Sequence, residues 1–426
     1  SLAVLFPGQG SQYPDMGREL VIRFPEALDT IETAQRTMRL KPPLGELLYP
    51  PHPPGRPDEE RLQATERAQP AIAAVSLAFW KVVSGFGLQP AAAAGHSFGE
   101  LTALCAAGRI PEEAFFALAA ARGRAMAAAP RGAMAAVFAP AEEVEEALRE
   151  AGAPVVVANR NAPRQTVVSG PAEAIERLTE TAARRGLRAT RLPVGGAFHS
   201  PLMEGASASF AEALETTAFA PAAATAVFCG QTAAPYPADG GAARRLLAAQ
   251  MLHPVDFVGT IEAMYAAGIR TFFEIGPRAV LTRLVADILA GRPHNAFALD
   301  ASAGRKPGLF DIATALCRLG ALGHPVRLER WDPVKPPEPP ARMRIPICGA
   351  NLGPSAGGEN DPLRRPKEKA AAPAPPAALA ADAAPGVHAT PHPLLSREAP
   401  MANETFRNPT TNPGRGSSSG CGTFRW

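Results

Sequence analysis

Residues 90–100 read PAAAAGHSFGE: a run of alanines passes straight into Gly95-His96-Ser97-Phe98-Gly99, and a small-residue, apolar stretch follows. A G-x-S-x-G sequence between an apolar strand and a helix forces a sharp turn, because only small residues on both sides let the serine hydroxyl stand clear of the sheet. The motif therefore selects a strand–turn–helix unit at the end of a parallel sheet, and with it an α/β architecture. The helix start also aims backbone N–H groups and the positive end of its dipole at Ser97. A serine that only caps a helix in a tight turn leaves the same short pattern, so the rest of the chain has to decide between the two.

The alternation of strand and helix continues on either side. LAVLF (2–6) is an unbroken apolar run ended by PGQG, as expected of a buried strand feeding a glycine turn. Met16, Leu20 and Phe24 have helical spacing within 16–40, whereas the prolines of 41–60 predict a surface loop. Further helices are expected over 69–86, from the elbow to about Ala107, and from Glu112 to about Met126. Residues 132–194 then run strand (GAMAAVF), helix (AEEVEEALREAG), strand (PVVVAN), strand (QTVVSG), helix (PAEAIERLTETAARRG), strand (RATRLPV), the β-α-β-β-α-β order of a ferredoxin-like unit. Core elements resume afterwards, with strands at 225–230 and 271–277 and helices at 257–267, 279–290 and 308–322. The expected organisation is thus an α/β-hydrolase-like core with a parallel sheet, formed by 1–131 and 195–325, plus an inserted ferredoxin-like subdomain at 132–194. Proline takes over near Val326, so 326–362 reads as an extended linker, and 363–426, rich in Ala, Pro, Ser and Gly, as a linker or disordered tail.

With 426 residues, 46% hydrophobic and 19% charged, the chain can bury a core of this size. A formal net charge of +3 without long blocks of either sign offers nothing to nucleic acid or a membrane surface. No apolar run suits a membrane span, and the opening SLAVLF is too short for a signal peptide and reads as a strand cut from a longer chain. Cys105, Cys229, Cys317, Cys348 and Cys421 lie far apart without a CxxC pair, which argues against structural zinc and for a reducing, cytoplasmic setting.

If Ser97 is a nucleophile it needs a base, and histidine is the usual one. His199 in GGAFHSPLM stands at the start of a helix opened by Ser200-Pro201. His96, His253, His52, His294 and His324 compete for the role, and a capping or surface histidine is the plainer reading of His199 alone. Gln9 in PGQGSQ lies in a glycine-flanked turn that could offer a backbone N–H to substrate; Tyr13 where a dinucleotide fingerprint needs its third glycine excludes that alternative. In ARGRAM, Arg122 or Arg124 could grip a carboxylate through two parallel hydrogen bonds, or simply face solvent.

Together these segments resemble the malonyl-CoA:acyl carrier protein transacylase family, in particular the acyltransferase domains of multidomain polyketide and polyunsaturated fatty acid synthases. The resemblance covers about residues 2–332 and rests on FPGQGSQ, GHSFGE, RGRAM and GAFHS in the family's order and spacing. RLERW and IPICGAN look like the segment that follows the acyltransferase in iterative synthases of the enediyne or polyunsaturated type.

The resemblance implies a ping-pong transfer. Ser97, deprotonated by His199, takes malonyl from malonyl-CoA and passes it to the phosphopantetheine thiol of an acyl carrier protein, with no permanently bound cofactor and no metal. The backbone N–H groups of Gln9 and Phe98 would hold the oxyanion, and Arg122 the free carboxylate. The family's Asn in an NPV motif falls on His253, the region expected to orient the histidine. Gly196-Ala197-Phe198 stand where the family reads its extender unit: Phe198 leaves little room for a methyl branch and favours malonyl, while Gly196 opens space beside it. The implied partners are the carrier protein, the ketosynthase and other domains of the same synthase. An acyl-thioester hydrolase or editing domain shares the elbow, but a carboxylate clamp would be pointless for an uncharged chain. A non-catalytic docking module would have no use for an intact Ser97 and His199.

Overall fold

LAVLF forms β1 (Leu2–Phe6), and its five residues are all buried because the strand is covered on both faces. Leu2, Val4 and Phe6 point into one hydrophobic cluster and Ala3 and Leu5 into another, the two-residue period of a strand expressed as packing. A computed structural model describes residues 1–221 and 224–331. The expected tail at 363–426 and all but the first residues of the linker at 326–362 lie outside the described residues.

β1 is the middle of a six-stranded sheet of order β11-β10-β1-β2-β7-β8. β2 (Ala92–Gly95) and β10 (Thr271–Glu274) flank β1 in parallel, β11 (Asn295–Ala298) and β7 (Ala226–Cys229) extend the parallel run, and β8 (Ala234–Pro235) closes one edge antiparallel. The sheet is therefore mixed rather than wholly parallel, with Pro235 on the edge strand, where a missing N–H is tolerated.

One face carries α2 (Pro25–Met38), α5 (Thr65–Gly85) and α7 (Glu112–Ala128); the other carries α12 (Phe257–Ala266) and α13 (Leu281–Ile288). The expected helix at 16–40 is split into α1 (Arg18–Arg23) and α2, because Phe24 precedes Pro25 and stays extended. The expected loop at 41–60 contains α3 (Leu44–Leu48) and most of α4 (Arg56–Gln63); its prolines sit at junctions and in the first turn of α4, where proline is tolerated. The remaining core helices are α6 (Gly99–Ala106), α10 (Glu204–Glu215), α11 (Gly240–Ala249) and α14 (Gly308–Ala321). Among the described residues no helix is long and apolar enough to cross a membrane.

Residues 133–191 run β3 (Ala133–Val137), α8 (Ala141–Ala151), β4 (Val156–Ala162), β5 (Gln165–Gly170), α9 (Ala172–Arg184) and β6 (Ala189–Arg191). Four antiparallel strands take the order β6-β3-β5-β4, and β9 (Val255–Asp256) adds a fifth, parallel to β4. The sheet is thus not completed within 132–194 as expected: the core lends it an edge strand too short to carry a period. Ala133, Ala135 and Val137 face its own helices, whereas Met134 and Ala136 pack into the main core, so the second sheet is bound to the first by its other face.

Candidate active site

β2 ends at Gly95, paired with Phe6, and the chain reverses into α6 within three residues. Ser97 takes a left-handed φ of 50°, which costs a non-glycine residue on the order of 1–3 kcal/mol and persists only when its surroundings impose it. They do: the His96 N–H donates to Phe6 O at 3.0 Å, Gly99 N–H to His96 O at 3.0 Å, and Glu100 N–H to Ser97 O at 3.1 Å. A Cβ on Gly95 would overlap the backbone of Gly99, and one on Gly99 would overlap the Phe6 carbonyl oxygen. The glycines of the motif are therefore steric requirements of the turn. A Cβ on Gly8 would come 2.5 Å from the His96 carbonyl oxygen, so the PGQG turn is drawn against the elbow and carries Gln9 with it. Among the described residues, neither the Gln9 nor the Phe98 backbone N–H donates a hydrogen bond within the protein.

Of the competing histidines, His199 is the one that meets the serine, with Ser97 Oγ 2.8 Å from its Nε2. The residue is buried, has a left-handed φ of 58°, and is followed by Ser200, whose hydroxyl donates to Ala197 O at 2.6 Å and accepts from Leu202 N–H. On its far side Nδ1 lies 3.1 Å from both the Gln250 and the His253 carbonyl oxygens. Two acceptors there fix the proton on Nδ1 and leave Nε2 free to accept from Ser97. Burial, and then the charge of Arg122, push the His199 pKa down to about 3, so the ring is neutral at physiological pH. The His253 ring itself is exposed; the residue serves through its carbonyl oxygen, which any side chain would supply.

Burial separates the two arginines of ARGRAM. Arg124 is exposed, and Arg122 is 1% exposed. Arg122 Nη1 donates to Gln69 Oε1 at 2.9 Å and Nη2 to Gln250 Oε1 at 3.0 Å, and its guanidinium lies 5.8 Å from the centre of the Phe98 ring. Phe98 thus contributes a ring as well as a backbone N–H. Two amide oxygens use only part of the donor capacity of a guanidinium. Among the described residues Arg122 has no ion pair, and although burial lowers its pKa to about 10 it remains charged at neutral pH. Gly123 lets α7 close on α5, since a Cβ there would sit 3.1 Å from Thr65 O and Glu66 Cα.

Gln250 ties the parts together and was missed by sequence reasoning. Its side chain accepts from Arg122 and donates to Ser97 O at 2.7 Å, while its backbone carbonyl orients His199. Gln69 was missed too, as was Asn161 of β4, whose Oδ1 lies 2.7 Å from His96 Nε2 and links the second sheet to the elbow. Buried polar residues whose partners lie far away in sequence leave no local pattern; the HPVDF segment three residues on was the nearest signal for Gln250.

Ala197 and Phe198 are both buried beside His199. Gly196 does not open space next to Phe198: a Cβ at Gly196 would lie 2.5 Å from Phe198 Cε1, so the ring already fills it. His52, His294 and His324 contact Pro53, Arg292 and Thr271, away from this cluster. Among the described residues no group of three metal-ligating side chains gathers.

Comparison with known proteins gives three concordant findings. The sequence profile of the family described as "Acyl transferase domain" matches residues 4–303. The chain is 35% identical over 292 residues to the malonyl CoA-acyl carrier protein transacylase of Bacillus subtilis, covering 67% of this chain and 89% of that protein. It is 33% identical over 350 residues to a polyunsaturated fatty acid synthase component of a Thraustochytrium species, covering 78% of this chain but only 12% of that much longer protein. Among solved structures, the acyltransferase domain from the second module of the salinomycin polyketide synthase superposes with a TM-score of 0.71 at 30% identity, over 79% of this chain and 78% of that one.

Proposed function

Because the chain belongs to the acyl transferase domain family, we propose that it loads malonyl from malonyl-CoA onto Ser97 and hands it to the phosphopantetheine thiol of an acyl carrier protein. One observation carries the reading: Gln250 spans the distance between the Ser97–His199 pair and a buried arginine that has no ion pair among the described residues. A nucleophile and a fixed cation one amide apart suit an acyl group bearing a second carboxylate. An uncharged chain would make no use of the guanidinium, which disfavours the hydrolase reading.

In the first half-reaction Ser97 Oγ attacks the thioester carbonyl as its proton passes to His199 Nε2. The oxyanion is held by the Gln9 and Phe98 N–H groups. His199 returns the proton to the departing CoA sulfur, leaving acyl-Ser97. In the second half the carrier thiol gives its proton to His199 and attacks the ester, and Ser97 recovers the proton. The protein supplies every group, with no resident cofactor or metal. Two carbonyls in place of a carboxylate hold His199 in its tautomer without adding a negative charge to a pocket that must attract one.

We read Gly196, Ala197 and Phe198 as a wall that favours unbranched malonyl. A methyl branch changes such a preference by only about 1–3 kcal/mol. We assign residues 1–131 and 195–325 to an α/β-hydrolase-like core, 132–194 to a ferredoxin-like insertion that borrows β9, 326–362 to a linker and 363–426 to a further linker or tail. The setting we propose is a cytoplasmic polyketide or polyunsaturated fatty acid synthase, with its carrier protein, ketosynthase and companion domains as partners. Unpaired Cys105, Cys229 and Cys317 suit that reducing compartment.

The test is intact-mass analysis after mixing with malonyl-CoA. The protein gains one malonyl group and Ser97→Ala gains none. An adduct of equal size on Ser97→Ala, or none on the parent, overturns the reading.

A further inference from the structure

The proposed chemistry makes no use of Glu100, yet this carboxyl is fully buried one residue beyond the elbow. Its Oε2 accepts from Tyr236 Oη at 2.6 Å. Its Oε1 meets no donor at hydrogen-bond geometry, although Gln250, Gly230 and Cys229 surround it. Arg122, equally buried, feels the charge of Glu100 across the site without forming an ion pair. Gln250 stands between them, with its side-chain oxygen on Arg122 and its nitrogen on Ser97 O.

The titratable and charged groups around Glu100 are Tyr236 and Cys229 from the end of the large sheet, Arg122 of α7, and the elbow pair His96 and His199. Arg109 lies beyond Tyr236, its guanidinium held by the carbonyls of Ala220, Pro237 and Ala238. Both histidines are pushed toward the neutral form by burial, and burial pushes the Tyr236 and Cys229 groups toward theirs. Among the described residues, the pocket therefore holds one cation, Arg122, and one carboxyl able to answer it.

Arg122 and Glu100 are the cation and the carboxyl that can balance each other in an empty pocket. A substrate carboxylate on Arg122 places a second anion in the same desolvated cluster, and one guanidinium cannot compensate two. We propose that Glu100 is the charge-balancing residue of the acyl pocket, ionised against Arg122 when the pocket is empty and taking up a proton from solvent when a substrate carboxylate reaches Arg122. It acts through Arg122 rather than on the acyl group, as a positioning residue that couples binding of a dicarboxylic acyl unit to protonation. The proposal rests on the malonyl-transfer reading. Burial raises the Glu100 pKa and so favours uptake of the proton, while the hydrogen bond from the Tyr236 hydroxyl opposes it by favouring the anion.

Calorimetric titration of malonyl-CoA into Ser97→Ala protein at pH 7, in two buffers of different ionisation enthalpy, counts the protons. About one is expected per malonyl-CoA and about none per acetyl-CoA, which carries the same CoA phosphates. The malonyl uptake disappears in Ser97→Ala/Glu100→Gln. In the intact enzyme KM for malonyl-CoA rises with pH, approaching about tenfold per unit, and Glu100→Gln flattens that slope. Tyr236→Phe, which removes a donor to the carboxylate, moves the rise to higher pH and keeps the question answerable if Glu100→Gln does not fold. Binding of malonyl-CoA without proton uptake, or uptake unchanged by Glu100→Gln, overturns the proposal. Absence of any Ser97 acylation in the intact enzyme overturns the transfer reading and this proposal together.

Discussion

The two sheets divide the labour unequally. In the six-stranded sheet β1 and β2 stop where the chemistry starts, and Gln9 and Ser97 lie in the turns that follow them. From the five-stranded sheet, Asn161 reaches the elbow through a hydrogen bond to His96, while Met134 and Ala136 pack into the main core. Its helices α8 and α9 turn charged faces to solvent, bridged by Arg185 to Glu146 and Glu150. The turns of the first sheet leave almost no freedom of sequence, because backbone meets backbone there. The second is expected to tolerate exchange over most of its outer surface, since its contacts with the core lie on its inner face.

The sharpest way to break that contrast is to add a methyl group to the elbow. Gly99→Ala drives a Cβ into the Phe6 carbonyl, and neither β1 nor α6 can yield without moving the core. A loss of more than about 4 kcal/mol, or no folded protein, is expected from urea unfolding. A stable Gly99→Ala protein would mean the elbow is looser than its contacts imply.

Arg122→Ala comes next. It removes the pocket's cation while leaving Ser97 and His199 in place. The ratio of malonyl to acetyl adduct in a mass-resolved competition should fall by on the order of 10²-fold, the worth of one charge-assisted contact. Arg122→Lys should recover little, because an ammonium cannot reach Gln69, Gln250 and a carboxylate together. An unchanged ratio would separate malonyl selection from this residue. The same site sets the pH profile. His199 is held near pKa 3 in the folded protein, below its ordinary value, so the base stays neutral until the pH nears 3. The acid limb of malonyl loading should therefore be missing between about pH 8 and 5, checked by single-turnover adduct formation. A limb near pH 6.5 would mean the ring is far more hydrated than its burial implies.

Much of this division was legible in the sequence, for a physical reason. Gly95, Ser97 and Gly99 fall within one five-residue turn, so a short pattern could carry them even though Gly99 is pressed against Phe6 of β1. α8 and α9 were legible because Val144, Ala147, Ile175 and Leu178 repeat at helical spacing against charged faces. Arg122 and Arg124 were not separable, because α7 is alanine-rich on all sides and lacks a polar face to mark the exposed one. His253 was picked out as the region that orients His199, and it reaches that histidine through its carbonyl oxygen, which no side-chain pattern could mark. Gln250 lies 153 residues from Ser97, and no period or spacing encodes a contact of that range. β9 is two residues long, too short for any alternation to register.

The smaller effects test the second sheet. Asn161→Ala leaves half-buried His96 without its partner, at a cost of about 1–3 kcal/mol in unfolding free energy. The Ser97 adduct should still form, since the elbow is held by its own backbone bonds and by Gln250. Loss of the adduct in a folded Asn161→Ala protein would raise the second sheet to an equal partner. Arg185→Ala is the smallest. Its carboxylate partners are half exposed, where water competes for both ions and the long side chains lose freedom on pairing. Neither the unfolding midpoint nor the loading rate should move measurably, at low or at high salt. If the midpoint does drop, and drops less at high salt, α8 and α9 are held together by charge more than by Val144, Ile175 and Leu178. The outer layer of the second sheet would then be less free to vary than its distance from Ser97 suggests.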